Sequence, residues 1–337
     1  MTIKDVARLA GVSVSSVSRT LAAPESVRPG TRERVLRAAA EVGYSPNAAA
    51  RALTTGRTYN VGLVVPDLAN PFFPTVVKAI QSRAREFDYS VLLVDTDEDP
   101  TAEVELIRKL VKQVDGFLLC GPRAADDDLR SFVGETPVVT VNRRVGPIPS
   151  VICDHTDGVR QAVGHLAALG HRAIAYLGGP RASTVNRERV RGLRSLCASM
   201  GLELVDLGNA TPNFDGGAAA ADLVLAAPVT AVLAYNDLQA LGLVSRFKER
   251  GASVPEQISV VGFDDIPLAG QVSPRLTTIA QRGDLLGRAA VDLLLDLLQD
   301  RVGAAGSRRV MPTQLIVRGS TGPVVTSPPG SRPPRDG

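Results

Sequence analysis

The side chains best suited to hold a ligand fall at one kind of place, just after short apolar runs. Asp67 and Asn70 follow VGLVV (61–65), Asp95 closes SVLLVD (90–95), and Asn142 closes PVVTVN (137–142). Asn236 and Asp237 end AVLAYN (231–236) and continue it, and Asp264 and Asp265 do the same for ISVVGFD (258–264). Carboxylates and carboxamides there suit a polar ligand, because open α/β sheets bind beyond the carboxyl ends of their strands. Catalytic signatures are missing from the chain. There is no P-loop, no G-x-G-x-x-G after a strand, no H-E-x-x-H and no nucleophile elbow. Gly178-Gly179-Pro180 lacks the helix-opening glycines of a phosphate loop. His155, His165 and His171 make no site by spacing; His165 and His171 flank a helix end and read as surface or C-capping residues. Cys120, Cys153 and Cys197 are far apart, without C-x-x-C, so they read as small buried hydrophobes rather than zinc ligands or disulfides. A binding protein without metal or cofactor is expected, not an enzyme.

A second concentration of chemistry lies at the N-terminus. Residues 1–59 carry nine Lys and Arg against four acids, a surplus of five, while the other 278 residues are two negative. A basic head on a slightly acidic body is the footprint of a nucleic-acid module joined to something else. Thr2 and Asp5 have capping-box spacing ahead of a short helix with Ile3, Val6, Ala7 and Ala10 on one face. Gly11 stops that helix, and Ser13 is a ready N-cap for a second, about 14–21. Two helices joined by a Gly-containing turn form a helix-turn-helix. A third helix is expected over 32–42, with Val35, Leu36 and Ala39 closing the core. At the start of the second helix, Val14 can touch a thymine methyl, and Ser15 and Ser16 are small enough to approach base edges. Arg19 can reach a base or a phosphate. Ser13, Ser16, Ser18, Thr20 and Asn47 offer neutral phosphate contacts.

The elements that position the strand-end residues follow from the pattern after Tyr59. Runs rich in Val, Leu and Ile alternate with amphipathic helical stretches, which predicts parallel sheets covered by helices. Eight or more strands over about 260 residues imply two doubly wound lobes. The segment DLLLDLLQ (292–299) reads as core packing. No apolar run reaches membrane-spanning length, and MTIKD is not an apolar signal region; a cytoplasmic protein without membrane contact is expected. Residues 323–337 form a Pro-rich tail expected to be disordered and unable to form a heptad helix, so a homodimer is expected.

TIKDVARLAGVSVSSVSRTL (2–21) and TRERVLRAAAEVGYSPNAAARAL (31–53) resemble the helix-turn-helix of the lactose-repressor/galactose-repressor (LacI/GalR) family of transcriptional regulators. VGLVVPDLANPFF, VDGFLL, AYNDLQALG and ISVVGFDDIPLAGQVSPRLTTIAQ are similar to its periplasmic-binding-protein-like effector domain, so the resemblance runs to about residue 322. It implies a helix-turn-helix over 1–45, a hinge helix and linker over 46–58, and an effector domain over 59–322. The N-lobe would be 59–156 with 280–309, the C-lobe 157–279 with 310–322. The implied partners are double-stranded operator DNA, a second copy of the chain and a small-molecule effector.

By the same resemblance, Val14 and Ser15 carry operator choice and Arg19 is the arginine of the recognition helix. Leu53 is the wedge that bends DNA at the minor groove. Thr2, Asn47 and Ala50 complete the expected DNA-contacting set. The seven residues 47–53 are too few for an isolated helix in water, so the hinge is expected to fold only when supported in a DNA-bound dimer. The implied effector contacts are Asn70, Phe72, Phe73, Asn142 (where a relative often has Asp), Arg189, Asn236, Asp264 and Gln281. Phe214 joins them because aromatics there suit a base. A sugar or sugar derivative is the favoured effector. A purine or nucleoside is the alternative, and a solute-binding protein without DNA function a more distant one.

Overall fold

The computed structural model describes residues 1–22, 24–44, 56–132, 136–299 and 306–324. The expected hinge residues Asn47, Ala50 and Leu53 lie outside the described residues. Two compact units emerge: 1–60 with 113–115, and 61–112 with the rest of the chain.

The first unit is a three-helix bundle of α1 (Ile3–Ala10), α2 (Val14–Ala22) and α3 (Pro29–Glu41). Thr2 donates to the Asp5 carboxylate from its backbone N–H at 2.9 Å and its hydroxyl at 3.0 Å, fixing the start of α1. Gly11, at φ 64°, ends it in the left-handed conformation that glycine adopts without steric cost. The Ser13 hydroxyl then accepts the Ser16 N–H at 3.1 Å and caps α2. Val6, Ala7, Ala10, Val17, Val35, Ala38 and Ala39 form the core. Two expectations need correction. The third helix begins at Pro29, a residue suited to the first helical position because its missing N–H would be unpaired there. Leu36 is 48% exposed, because the buried stripe runs through Val35, Ala38 and Ala39 and leaves it one residue around the helix. Near the end of this unit, Asp115 accepts from the Thr58 N–H at 2.6 Å, the Thr58 hydroxyl at 2.7 Å and the Tyr59 N–H at 3.0 Å.

The second unit contains two six-stranded sheets of matching order. The first comprises β1 (Asn60–Val65, its first residue counted with the bundle), β2 (Ser90–Asp95), β3 (Gly116–Cys120), β4 (Val138–Val141), β5 (Ser150–Cys153) and β11 (Arg308–Met311), ordered β11-β5-β4-β3-β1-β2. The second comprises β6 (Ala173–Gly178), β7 (Glu203–Asn209), β8 (Ala231–Ala234), β9 (Ser259–Asp264), β10 (Thr277–Ala280) and β12 (Gln314–Ile316), ordered β12-β10-β9-β8-β6-β7. β1, β3, β4, β5 and β11 pair in parallel, as do β7, β6, β8, β9 and β10; β12 is antiparallel to β10. Central strands buried on both faces need continuous apolar sequence, and GFLLC and AVLA supply it.

Helices α4 (Phe72–Arg85), α5 (Pro100–Leu110), α6 (Asp126–Ser131) and α11 (Gly283–Leu298) belong to the first lobe. α7 (His155–Ala168), α8 (Thr184–Met200), α9 (Phe214–Ala226) and α10 (Asp237–Glu249) belong to the second. α9 and α10 approach backbone to backbone: a Cβ on Gly242 would lie 2.0 Å from the Phe214 carbonyl oxygen. The chain crosses between sheets at Asp154, at Gln281–Arg282 and at Pro312–Thr313. Residues 155, 156 and 280 therefore go with the second sheet and 310–311 with the first, one or two residues from the expected boundaries. The crossovers are tied together. The Asp154 N–H donates to the Met311 carbonyl at 2.9 Å, the Thr313 hydroxyl to the Asp154 carbonyl at 3.0 Å, and the Cys153 thiol to the Gln281 carbonyl at 3.3 Å.

Candidate ligand cleft and nucleic-acid face

Six strand ends converge on one cavity in the second unit. Asp67 and Asn70 lie beyond β1, Gly121 and Arg123 beyond β3, Asn142 beyond β4, and Tyr235 and Asn236 beyond β8; Asp264 ends β9 and Gln281 follows β10. Phe72, Phe73 and Val76 of α4 and Val185 and Arg189 of α8 complete most of the wall. The remaining volume is about 40 Å³, room for a few waters and not for a ring.

Arg189 occupies the centre and is only 3% exposed. Its guanidinium carbon lies 3.3 Å from the Phe263 ring centroid and 5.2 Å from that of Tyr235. Nη1 donates to the Tyr235 carbonyl at 2.5 Å, and Nη2 to Nδ1 of His155 at 3.4 Å. Burial, then the neighbouring Arg189, hold His155 well below its ordinary pKa, so the ring is neutral and able to accept. Nε of Arg189 and Nε2 of His155 are buried and have no hydrogen-bond partner among the described residues. A buried N–H without an acceptor is costly, and a ligand oxygen beside Arg189 would relieve that cost.

Arg123 is differently placed. It forks onto Glu98 through Nε and Nη2 and donates to the Gly121 carbonyl through Nη1. Opposite, Asp264 accepts from Gln281 Nε2 at 2.5 Å and from Asn70 Nδ2 at 3.4 Å. Asn142 donates to Gln281 Oε1 at 3.2 Å and accepts the Cys153 N–H at 2.9 Å. The relay Asn142–Gln281–Asp264–Asn70 thus spans the two lobes. Asn142 (φ 56°) and Asp264 (φ 122°) both sit in backbone conformations that side chains beyond glycine rarely adopt, a strain that clusters at functional sites. Burial pushes the Asp264 carboxyl up to about 7, with Arg189 opposing the shift. Behind it Asp237 accepts from the Thr278 hydroxyl at 2.5 Å and the Ile266 N–H at 2.9 Å. Burial and then the Asp264 charge raise Asp237 well above the usual carboxylate range.

Asn70, Phe72, Phe73, Asn142, Arg189, Asn236, Asp264 and Gln281 all line this cavity. Phe214 does not. It opens α9, its backbone is pressed against Gly242, and the residue is 43% exposed. Asn236 reaches the wall with its amide already committed, capping α10 through the Gln239 N–H at 2.9 Å and donating to the Pro212 carbonyl at 2.7 Å. Asp67 lines the cavity as its strand-end position suggests, and Glu98, Cys120, Arg123 and Tyr235 line it without having been singled out as ligand contacts. Strand-end position alone would have found Tyr235 and Arg123; the pairing of Arg123 with Glu98 has no local signal. The histidines also differ from expectation. His155 is buried against Arg189, and His171 is buried with bonds to Thr230 at 2.8 Å and Ser259 at 3.0 Å.

In the bundle, Thr2, Ser13, Val14, Ser15 and Arg19 are exposed, and Ser16 and Ser18 half-buried. The hydroxyls of Ser15 and Ser16 lie 2.8 and 2.9 Å from that of Ser13, presenting a short polar edge at the start of α2. Thr20 is not available for phosphate: it is fully buried and donates to the Ser16 carbonyl at 2.8 Å.

Residues 2–47 match the model of bacterial regulatory proteins of the lacI family, and 163–321 that of the periplasmic binding protein-like domain. The chain is 36% identical over 329 residues to the HTH-type transcriptional repressor CytR of Escherichia coli (strain K12), covering 95% of this chain and 96% of CytR. The chain belongs to the LacI family. Among solved members, the lac repressor dimer bound to operator and the anti-inducer ONPF aligns with TM-score 0.86 at 32% identity, covering 96% of this chain and 99% of the repressor chain. The complex of the regulator CelR with cellobiose aligns with TM-score 0.71 at 32% identity, covering 95% and 99%. The LacI-family architecture of a helix-turn-helix and a periplasmic-binding-protein-like body with two parallel-dominated sheets is the fold expected from the sequence. No helix among the described residues is long and apolar enough to cross a membrane.

Proposed function

We propose that this LacI-family chain is a cytoplasmic transcriptional regulator, most simply a repressor. It binds a pseudo-palindromic operator as a homodimer, and a small ligand in the cleft between its lobes sets its operator affinity. The observation that carries this reading is the pairing of an exposed recognition edge, Val14, Ser15 and Arg19, with a separate cleft centred on the unsatisfied Arg189 donor. CytR is a transcriptional repressor, the lac repressor sits as a dimer on its operator, and CelR holds cellobiose. Dimer symmetry would place the two heads on half-sites about one helical turn, or a multiple of it, apart.

A ligand enters the cleft only if the lobes part, because about 40 Å³ cannot hold a ring. Entry breaks the Asn70–Asp264 contact and offers the unpaired Nε of Arg189 to the ligand. Lobe movement is the two-state element through which ligand and operator affinities are coupled. A sugar is the favoured ligand, supported by Arg189 and Asp264 and by the CelR complex. A nucleoside is the second reading, supported by Phe72 and Phe73, whose rings meet edge-on with centroids 5.3 Å apart at the cleft wall. The test is a mobility shift of inverted repeats from the flanking DNA, without ligand. A salt-sensitive, sequence-specific shift is expected; failure to shift any such repeat would exclude the DNA-binding reading.

A further inference from the structure

The charges and caps around the cleft bear on one property of the ligand. Three carboxylates line the wall, Asp67, Glu98 and Asp264, against two guanidiniums, Arg123 and Arg189. Arg123 is already spent on Glu98 and Gly121, and two of the three nitrogens of Arg189 are spent on Tyr235 and His155. The wall therefore holds more carboxyls than guanidiniums, with Asp264 only partly charged near neutral pH, and a single guanidinium nitrogen, Nε of Arg189, makes no hydrogen bond among the described residues.

A second, independent feature points the same way. Anions are commonly held by the bare N–H groups at helix N-termini. Three helices begin at or beside this wall, and a side chain already accepts one N–H at the start of each. The Phe72 N–H of α4 donates to Asn70 Oδ1 at 3.1 Å. The Asn186 N–H of α8 donates to the Ser183 hydroxyl at 3.2 Å, and the Gln239 N–H of α10 to Asn236 Oδ1 at 2.9 Å. A phosphate would compete with these acceptors for the helix starts while lying among the carboxylates. An uncharged hydroxylated ring would not: its oxygens can accept from Arg189 Nε and its hydroxyls can donate to Asp264 in place of Asn70.

We propose that the cleft takes an uncharged glycosyl ring, a free sugar or a nucleoside, and rejects the phosphorylated form of the same compound. This rests on the ligand-responsive reading above and adds a charge rule to it. The test is calorimetric titration of the full-length protein with matched pairs: ribose, glucose and the four common ribonucleosides, each against its 5- or 6-phosphate or 5′-monophosphate. At least one uncharged probe should bind, with its phosphate at least tenfold weaker. Asp67→Asn, which keeps the oxygen that accepts the Ala69 N–H, should narrow that ratio at least threefold. Equal or tighter binding of the phosphate overturns the proposal, as does an unchanged ratio in Asp67→Asn. Binding by no uncharged probe overturns the ligand class as well. The ligand-free operator shift, which needs no effector, separates these outcomes from failure of the regulator reading.

Discussion

The guanidinium carbon of Arg189 lies over the ring of Phe263, 3.3 Å from its centroid. Phe263 is fully buried on β9, next to Asp264, so the stack fixes a cation beside the carboxylate that joins the lobes. A planar, delocalised cation makes such a stack; an ammonium is more strongly hydrated and lacks the fork. Arg189→Lys should therefore weaken ligand binding tenfold or more, about 1.4 kcal/mol. The ligand-dependent change in operator affinity should shift to correspondingly higher ligand concentration. Calorimetry and a mobility-shift titration read both. Unaltered ligand affinity would remove Arg189 from the site.

Asp264 makes stability depend on pH. Its carboxyl is raised to about 7 in the folded protein, so between the usual carboxylate range and pH 7 the native state holds a proton that the unfolded chain has released. The stabilisation is complete below about pH 4 and is lost as pH rises through about 7. Asp264→Asn cannot titrate and escapes this loss. Its unfolding free energy should gain on the wild type by roughly 1–4 kcal/mol between pH 4 and pH 8, as judged from a shift of about three units. Denaturant melts of both proteins across that range measure it, and parallel curves would count against the raised carboxyl.

Two glycines in helices should respond oppositely to alanine. Gly242 faces the Phe214 carbonyl, and an added Cβ would lie 2.0 Å from its oxygen. Gly242→Ala should cost about 1–3 kcal/mol despite the better helix propensity of alanine. Gly192 in α8 has nothing within 4 Å of the added atom, so Gly192→Ala should stabilise by about 0.5–1 kcal/mol. Chemical denaturation of the pair tests the packing of α9 on α10.

In the bundle, exchange of Val14 and Ser15 should change which operator is preferred, because direct readout depends on donors and methyl groups at the groove floor. Arg19→Ala should weaken operator binding by about 1–3 kcal/mol. Selection from a randomised half-site, with affinities at two salt concentrations, distinguishes the effects. Unchanged preference in the double exchange would move the reading edge elsewhere.

Leu53→Ala tests the residue expected to wedge into the minor groove. Affinity and DNA bending should both fall, since unstacking is offset by the contacts that bending permits. Circular-permutation mobility shifts report the bend, and an unchanged bend would make Leu53 an ordinary linker residue.

Much of this protein was legible locally. The capping pair Thr2 and Asp5, the left-handed Gly11 and the Ser13 cap act within one helical turn, so their spacing alone marks the ends of the first two helices. The central strands are recognisable because burial on both faces demands unbroken apolar sequence. β5, β10, β11 and β12 were not, being three or four residues long and held by pairing to distant strands or lying beside the crossovers. In the cleft, residue types at strand ends pointed to the wall, since the parallel fold places those ends together. Their partners did not follow from position. Asn70 meets Asp264 across 194 residues, Arg123 turns away onto Glu98, Asn236 is consumed as a cap, and Phe214 faces outward. Sequence alone determined which residues could bind, because helix caps and strand burial are local or periodic. Tertiary structure decided which of them keep a donor or acceptor to spare, because a buried polar group bonds whichever neighbour the folded chain brings to it.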